Sequence, residues 1–144
     1  MNDGHRIKLF LVDDDGLFLK LLKIEFLQNE DFDVETFATG ELCVANLSNA
    51  PDVVILDYHL DGIDKNAMNG IETLDKIKIF NREIPVIMLS SQDRIDVAIN
   101  CMHHKAFDYV VKSETAFVRL QKIIPRIFKY KKIKQELTWY MERM

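Results

Sequence analysis

Three apolar runs in this chain each stop at a charged residue: Leu9-Phe10-Leu11-Val12 at Asp13-Asp14-Asp15, Val53-Val54-Ile55-Leu56 at Asp57, and Tyr109-Val110-Val111 at Lys112. Near-continuous Val/Ile/Leu runs mark strands buried on both faces, as in parallel sheets covered by helices. In open α/β sheets, ligands bind outside the carboxyl ends of the strands. The pattern therefore predicts one sheet whose rim gathers carboxylates and a lysine.

Between these runs the apolar period lengthens to that of a helix. Strands are expected at residues 7–12, 34–38, 53–56, 84–89 and 107–111. In the first helix, Leu17, Leu21, Ile24 and Leu27 form the expected buried stripe, broadened by Phe18, Leu22 and Phe26. A short second helix is expected over 40–47. The third spans 68–80 through Ile71, Leu74, Ile77 and Phe80, and the fourth spans 94–103 through Ile95, Ala98, Ile99 and Met102. A fifth begins near Glu114. This alternation predicts right-handed βαβ units, that is, a five-stranded parallel sheet with helices on both faces. At 144 residues, 48% hydrophobic and 29% charged, the chain can bury one such core.

No stretch reaches the roughly 18 uninterrupted apolar residues of a membrane span, and Met1-Asn2-Asp3-Gly4-His5-Arg6 has no apolar leader, so a cytoplasmic chain is expected. Cys43 and Cys101 lie in apolar helical stretches without metal-ligand spacing and read as reduced core thiols. Residues 1–113 hold 20 Asp/Glu against 11 Lys/Arg, a balance of −9, whereas residues 114–144 hold 3 against 8, a balance of +5. The basic tail reads mainly as a solvated helix face; Lys129, Lys131, Lys132 and Lys134 alone are a weak nucleic-acid signal, and direct nucleic-acid binding is disfavoured.

Each rim residue also has an ordinary structural role. Asp15 suits a helix N-cap. Asp13 and Asp14 beside Asp57 would repel strongly unless a cation joined them, and a hard divalent ion accepts such oxygen ligands, often from one or two carboxylates plus a phosphate. The cluster reads as a magnesium site. Lys112 can balance these charges or meet a phosphoryl oxygen as a point charge, and the Ser90 hydroxyl, after Ile87-Met88-Leu89, can serve a turn or an anion. His103 and His104, closing the fourth helix, read as C-terminal capping residues.

Over about residues 6–128 the chain resembles a response-regulator receiver domain of two-component signalling. The resemblance is carried in order by Asp13-Asp14, the aspartate of Val-Ile-Leu-Asp57, Ser90 after Pro85-Val-Ile-Met-Leu, and Lys112 of Asp-Tyr-Val-Val-Lys. It implies the flavodoxin-like strand order 2-1-3-4-5, with strands 1 and 3 adjacent at the switch point. It further implies that Asp57 accepts a phosphoryl group from a sensor histidine kinase or histidine phosphotransfer protein. Mg²⁺ (or Mn²⁺) would be held by Asp14 and Asp57, by Asp13 through water, and by the backbone carbonyl of His59. Lys112 would balance a phosphoryl oxygen, while Ser90 and Tyr109 would form the switch that alters the face read by a downstream output partner. The side chains of His59 and Gln92 are candidates for controlling the lifetime of the phosphoryl group.

Three departures stand out. Asp61 replaces a proline four residues after Asp57, and Gly70 lies thirteen residues after it rather than eight, which lengthens the 60–69 loop by about five residues. Ser113 replaces the proline that usually follows the lysine, which puts the family's cis peptide in doubt. His103-His104-Lys105-Ala106 lacks a glycine often found before the fifth strand.

The expected division is a receiver domain over 1–128 and a basic helical extension or linker over 129–144. Tyr130, Ile133, Leu137, Tyr140 and Met144 recur at helical spacing and could form a homodimer seam or a link to an output domain, with Pro125 kinking or restarting the helix. The leading functional class is a phosphoaccepting switch, with no catalysis beyond its own phosphoryl transfer and hydrolysis. Its rival is a receiver-like interaction module that is never phosphorylated. A nucleotide-binding α/β enzyme is disfavoured because the five glycines form neither a P-loop nor a G-x-G-x-x-G turn.

Overall fold

Every residue of the third and fourth strands, β3 (Val53–Asp57) and β4 (Val86–Ser90), is buried, because side chains alternate between two faces and helices cover both. The computed structural model describes residues 5–144; most of the 1–6 segment read above for a leader lies outside them. The sheet also contains β1 (Ile7–Val12), β2 (Phe32–Phe37) and β5 (Asp108–Val111), all parallel, in the order β2-β1-β3-β4-β5 that the resemblance implied.

The helices are α1 (Gly16–Leu27), α2 (Gly40–Ala45), α3 (Gly70–Phe80), α4 (Ile95–His103) and α5 (Ala116–Glu142), with a 3₁₀ turn at Leu47–Asn49. Alternate strand residues feed two cores. Leu9, Leu11, Ile55 and Leu89 pack with α1 and α5, whereas Phe10, Val12, Leu56 and Met88 pack with α2, α3 and α4. Cys43 and Cys101 are buried free thiols in the second core, where burial pushes them up to about 12 and about 11. Among the described residues, no helix is long and apolar enough to cross a membrane.

Two expected helix faces are reversed. In α1 the buried residues are Leu19, Leu22 and Phe26, with the Phe26 ring edge-on to Phe32 and Phe117. Leu17, Leu21, Ile24 and Leu27 face solvent, Leu17 being 69% exposed. In α4, Val97 and Cys101 are buried while Ile95, Ile99 and Met102 are exposed. Both helices are apolar on more than one side, so spacing fitted either stripe; contact with the sheet selected the other. Phe80, expected on the buried face of α3, is also exposed.

Helix α5 runs through Pro125 without restarting there, and Ile127 is its last buried residue. Tyr130, Ile133, Leu137, Tyr140 and Met144 are exposed.

Candidate functional site

Parallel pairing of Val12 with Leu56, Asp57 with Leu89, and Ser90 with Val111 brings the ends of β1, β3, β4 and β5 to one rim. Asp13 follows β1, Asp57 ends β3, Ser90 ends β4, and Lys112 follows β5. Asp13 and Asp57 are each 2% exposed and Ser90 is fully buried. The sequence thus delivers polar groups into a nearly dry site without interrupting any strand.

Lys112 Nζ lies 2.7 Å from Asp13 Oδ2 and 3.3 Å from Asp57 Oδ1. Its ammonium also stands 4.8 Å from the centre of the Phe18 ring, a neighbour that helical spacing alone did not connect to the rim. The Asp15 backbone N–H donates to Asp13 Oδ1 at 2.9 Å, and the His59 N–H donates to Asp57 Oδ1 at 3.3 Å. Asp15 itself caps α1, accepting from the N–H groups of Leu17 and Phe18.

One carboxylate of the cluster remains uncompensated. Asp14 Oδ2 is buried without a hydrogen-bond partner, and ligand oxygens of Asp13, Asp14 and Asp57 all lie within 4.8 Å of one another. Burial, followed by the negative charge of Asp13, raises Asp57 to about 7 against the opposing pull of Lys112. Burial would lower Lys112, but its hydrogen bond to Asp13 and the charge of Asp57 outweigh this and raise it. Three convergent carboxylates, two of them sharing one lysine and the third with an orphaned oxygen, fit a hard divalent cation.

Ser90 and Tyr109 are connected through a third residue. Ser90 Oγ accepts from the Gln92 N–H at 3.1 Å, and the Tyr109 hydroxyl donates to the Gln92 carbonyl. The Gln92 backbone therefore bridges the two expected switch residues, a link that sequence position could not show. The His59 ring packs edge-on against Tyr58 and lines a small hollow with Asp61, Asn69 and Asn100, and its Nε2 has no hydrogen-bond partner.

The 60–69 loop is anchored on both sides of the rim. Leu60 is buried, the Met68 N–H donates to Glu41, and the Gly70 N–H donates to the Tyr58 carbonyl. A Cβ at Gly62 would lie 3.2 Å from Asp14 Oδ2, and one at Gly70 would meet the Asp57 carbonyl at 2.4 Å. The loop thus borders the Asp14 side of the rim rather than merely projecting from the surface. The Lys112–Ser113 peptide is trans.

Fold and rim together define a class: a doubly wound α/β domain with a carboxylate–lysine site at the switch point of its sheet. The family model described as the response regulator receiver domain matches residues 9–124, and the chain belongs to that family of two-component signalling domains. It is 32% identical over 129 residues to the transcriptional regulatory protein QseB of Haemophilus influenzae, covering 86% of this chain and 55% of QseB. Identity to the probable transcriptional regulatory protein TcrX of Mycobacterium tuberculosis is 27%, covering 86% of this chain and 52% of TcrX. The chain spans about half the length of these two curated relatives.

Among solved structures, the CheX–CheY–BeF3–Mg²⁺ complex of Borrelia burgdorferi matches with a TM-score of 0.73 at 28% identity, over 85% of this chain and 90% of that one. A CheY-like receiver domain of Methanospirillum hungatei JF-1 shares the fold, with a TM-score of 0.74 at 23% identity, over 88% of this chain and 98% of that one.

Proposed function

We propose that this domain is a phosphorylation switch in which Asp57 accepts a phosphoryl group from a phosphohistidine of a sensor histidine kinase or histidine phosphotransfer protein. The observation carrying this reading is the placement of Asp57 between Lys112 and the uncompensated Asp14 at the sheet's switch point. An Asp57 oxygen attacks phosphorus as the bond to the imidazole nitrogen breaks, giving an aspartyl phosphate and releasing histidine. Mg²⁺ or Mn²⁺, held by Asp14, Asp57, Asp13 through water and the His59 carbonyl, would neutralise charge on the transferring group.

The protein's own groups do the rest. Lys112, already poised beside Asp57, takes a phosphoryl oxygen. Ser90 turns its hydroxyl toward the new anion, which disturbs its bond from Gln92 and, through the Gln92 carbonyl, the hold on Tyr109. Tyr109 stands between β5 and the α4-side core, so its displacement alters the α4–β5–α5 face offered to an output partner. Beside the rim, the exposed Leu17, Leu21 and Ile24 of α1 supply an apolar surface on which a phosphodonor could rest. Residues 129–144 serve as an extension or linker, and a cytoplasmic setting suits these partners. Direct nucleic-acid contact by the domain is not part of this reading.

Incubation with Mg²⁺ and a small-molecule acyl phosphate, followed by intact mass, tests the proposal. A single phosphoryl adduct absent from Asp57→Ala is expected. No adduct, or one that survives the substitution, would overturn it in favour of an interaction module that does not turn over phosphate. The side chains of His59 and Gln92 are proposed to limit attack by water on the aspartyl phosphate. An unchanged dephosphorylation rate after replacing both would dispose of that role.

A further inference from the structure

At the opposite end of the sheet from Asp57, the end of α3, the turn between α4 and β5, and the middle of α5 enclose a cleft of about 710 Å³. Its cations come from all three walls: Lys78 and Arg82, Lys105, and Lys131 with Lys134. One carboxylate, Glu83, faces them, lying 3.4 Å from Lys134 Nζ and 3.7 Å from Arg82 Nε. A basic cleft is unexpected in this part of the chain, since residues 1–113 carry a balance of −9.

The cations crowd one another. Lys78 is half-buried and donates to the carbonyls of Ile84 at 2.6 Å and Arg82 at 3.3 Å. Burial lowers its proton affinity, and the positive charges of Lys131 and Lys134 lower it further against the help of Glu83. This is the mirror image of the acidic rim: like charges held together relieve their repulsion by sharing a counterion.

Lys105 adds an independent observation. Its backbone lies at φ 74°, in the left-handed region where a non-glycine residue is strained. Glycine would fit this turn freely, yet the position carries a lysine whose side chain lines the cleft. Phe107 and Tyr130 form an aromatic wall, their ring centroids 6.0 Å apart, with Tyr130 open to solvent.

We propose that this cleft binds a nucleoside di- or triphosphate, with Lys78, Lys105 and Lys131 converging on the phosphates and the base packing against Tyr130. The volume suits a ligand of that size, and enclosure by three elements suits a compact molecule better than an extended peptide. No glycine-rich loop takes part; side-chain ammonium groups supply the recognition. Because α5 forms one wall, occupancy would brace the helix where it leaves the body.

Titration of the full chain with ATP in the presence of EDTA, followed by calorimetry and by amide NMR shifts, tests this without involving the acidic rim. Saturable binding with Kd on the order of 0.1–1 mM is expected, with shifts centred on Lys78, Lys105 and Tyr130. Tripolyphosphate should bind more weakly and adenosine not measurably. Lys105→Gly should raise the Kd about tenfold while leaving thermal stability equal or higher, since it relieves the strained backbone; Lys131→Glu should abolish binding. The proposal is overturned by absence of saturation, by shifts centred on the rim, or by ATP binding equally to Lys105→Gly. Tripolyphosphate binding as tight as ATP, or a Glu-rich peptide that binds where ATP does not, also overturns it.

Discussion

The two ends of the sheet concentrate opposite charges by different means. At the carboxyl ends, Asp13 and Asp57, both almost wholly buried, share Lys112, and Asp14 converges on them without a cation of its own. At the far end, five cations on long side chains from the end of α3, the turn before β5 and the middle of α5 face one acid, Glu83. Strand ends fix short side chains in register and strip away water, so their charges couple strongly. Long helix and turn side chains leave most of the cleft's charges solvated, Lys78 excepted, and their coupling stays weak until a ligand excludes water. Perturbing the rim should therefore have large effects on the empty protein, and perturbing the cleft small ones.

The largest effect should follow Lys112→Ala. It leaves Asp13 and Asp57 without their shared cation, and unpairing buried charges typically costs about 3–5 kcal/mol. Denaturant unfolding at pH 8 without metal measures this, and added Mg²⁺ should recover part of the loss. Phosphoryl incorporation should fall about 100-fold. A stability change below about 1 kcal/mol would mean that the rim is wetter than its burial implies.

Next comes pH. Asp57 is raised from 3.8 to about 7 in the folded protein, so between these values the native state holds a proton that the unfolded chain releases. Ionising Asp57 therefore works against folding. Metal-free stability should fall as pH rises through that window and flatten above it, by about 2–4 kcal/mol from this group. Asp57→Asn should remove this fall, and Mg²⁺ should shrink it. A curve that rises across the window in the natural chain but not in Asp57→Asn would reverse the assignment.

The same contrast governs what could be read from sequence. The rim was legible because its strands are short apolar runs whose first polar residue must emerge at an end, as Asp13, Asp57 and Lys112 do; the strand order came from the family resemblance, not from the runs. The far cleft was not legible, because residues 78–83, 102–107 and 127–134 meet only once α5 has been laid across the sheet. Helix faces failed for a related reason. In α1 both Leu17-Leu21-Ile24 and Leu19-Leu22-Phe26 keep helical spacing, and only contact with Phe32 and Phe117 distinguishes them. The extra length of the loop after Asp57 was visible in the sequence, but the approach of Gly62 to Asp14 was not.

Two glycines sharpen the comparison within the rim. At Gly70 an added Cβ would meet backbone atoms of Asp57 and Tyr58 within 2.7 Å, and backbone cannot swing aside. Gly70→Ala should cost about 1–3 kcal/mol by denaturant unfolding. At Gly62 the obstacle is the end of the Asp14 side chain, which can turn. Gly62→Ala should leave stability within about 0.5 kcal/mol and weaken Mg²⁺ binding about fivefold by calorimetry. Equal metal affinity in the two proteins would show that the loop does not constrain Asp14.

The smallest expected effect lies in the cleft. Glu83 and Lys134 are both largely exposed, and a solvated pair at 3.4 Å contributes little because water and salt screen it. Glu83→Gln should therefore change stability by less than about 0.5 kcal/mol. The substitution nevertheless removes the one acid facing five cations, so ATP affinity should increase two- to threefold or so if the cleft's charge draws the ligand. A loss above about 1 kcal/mol in the empty protein would mean that the far end holds its charges as tightly as the rim, and that the two ends differ in sign but not in kind.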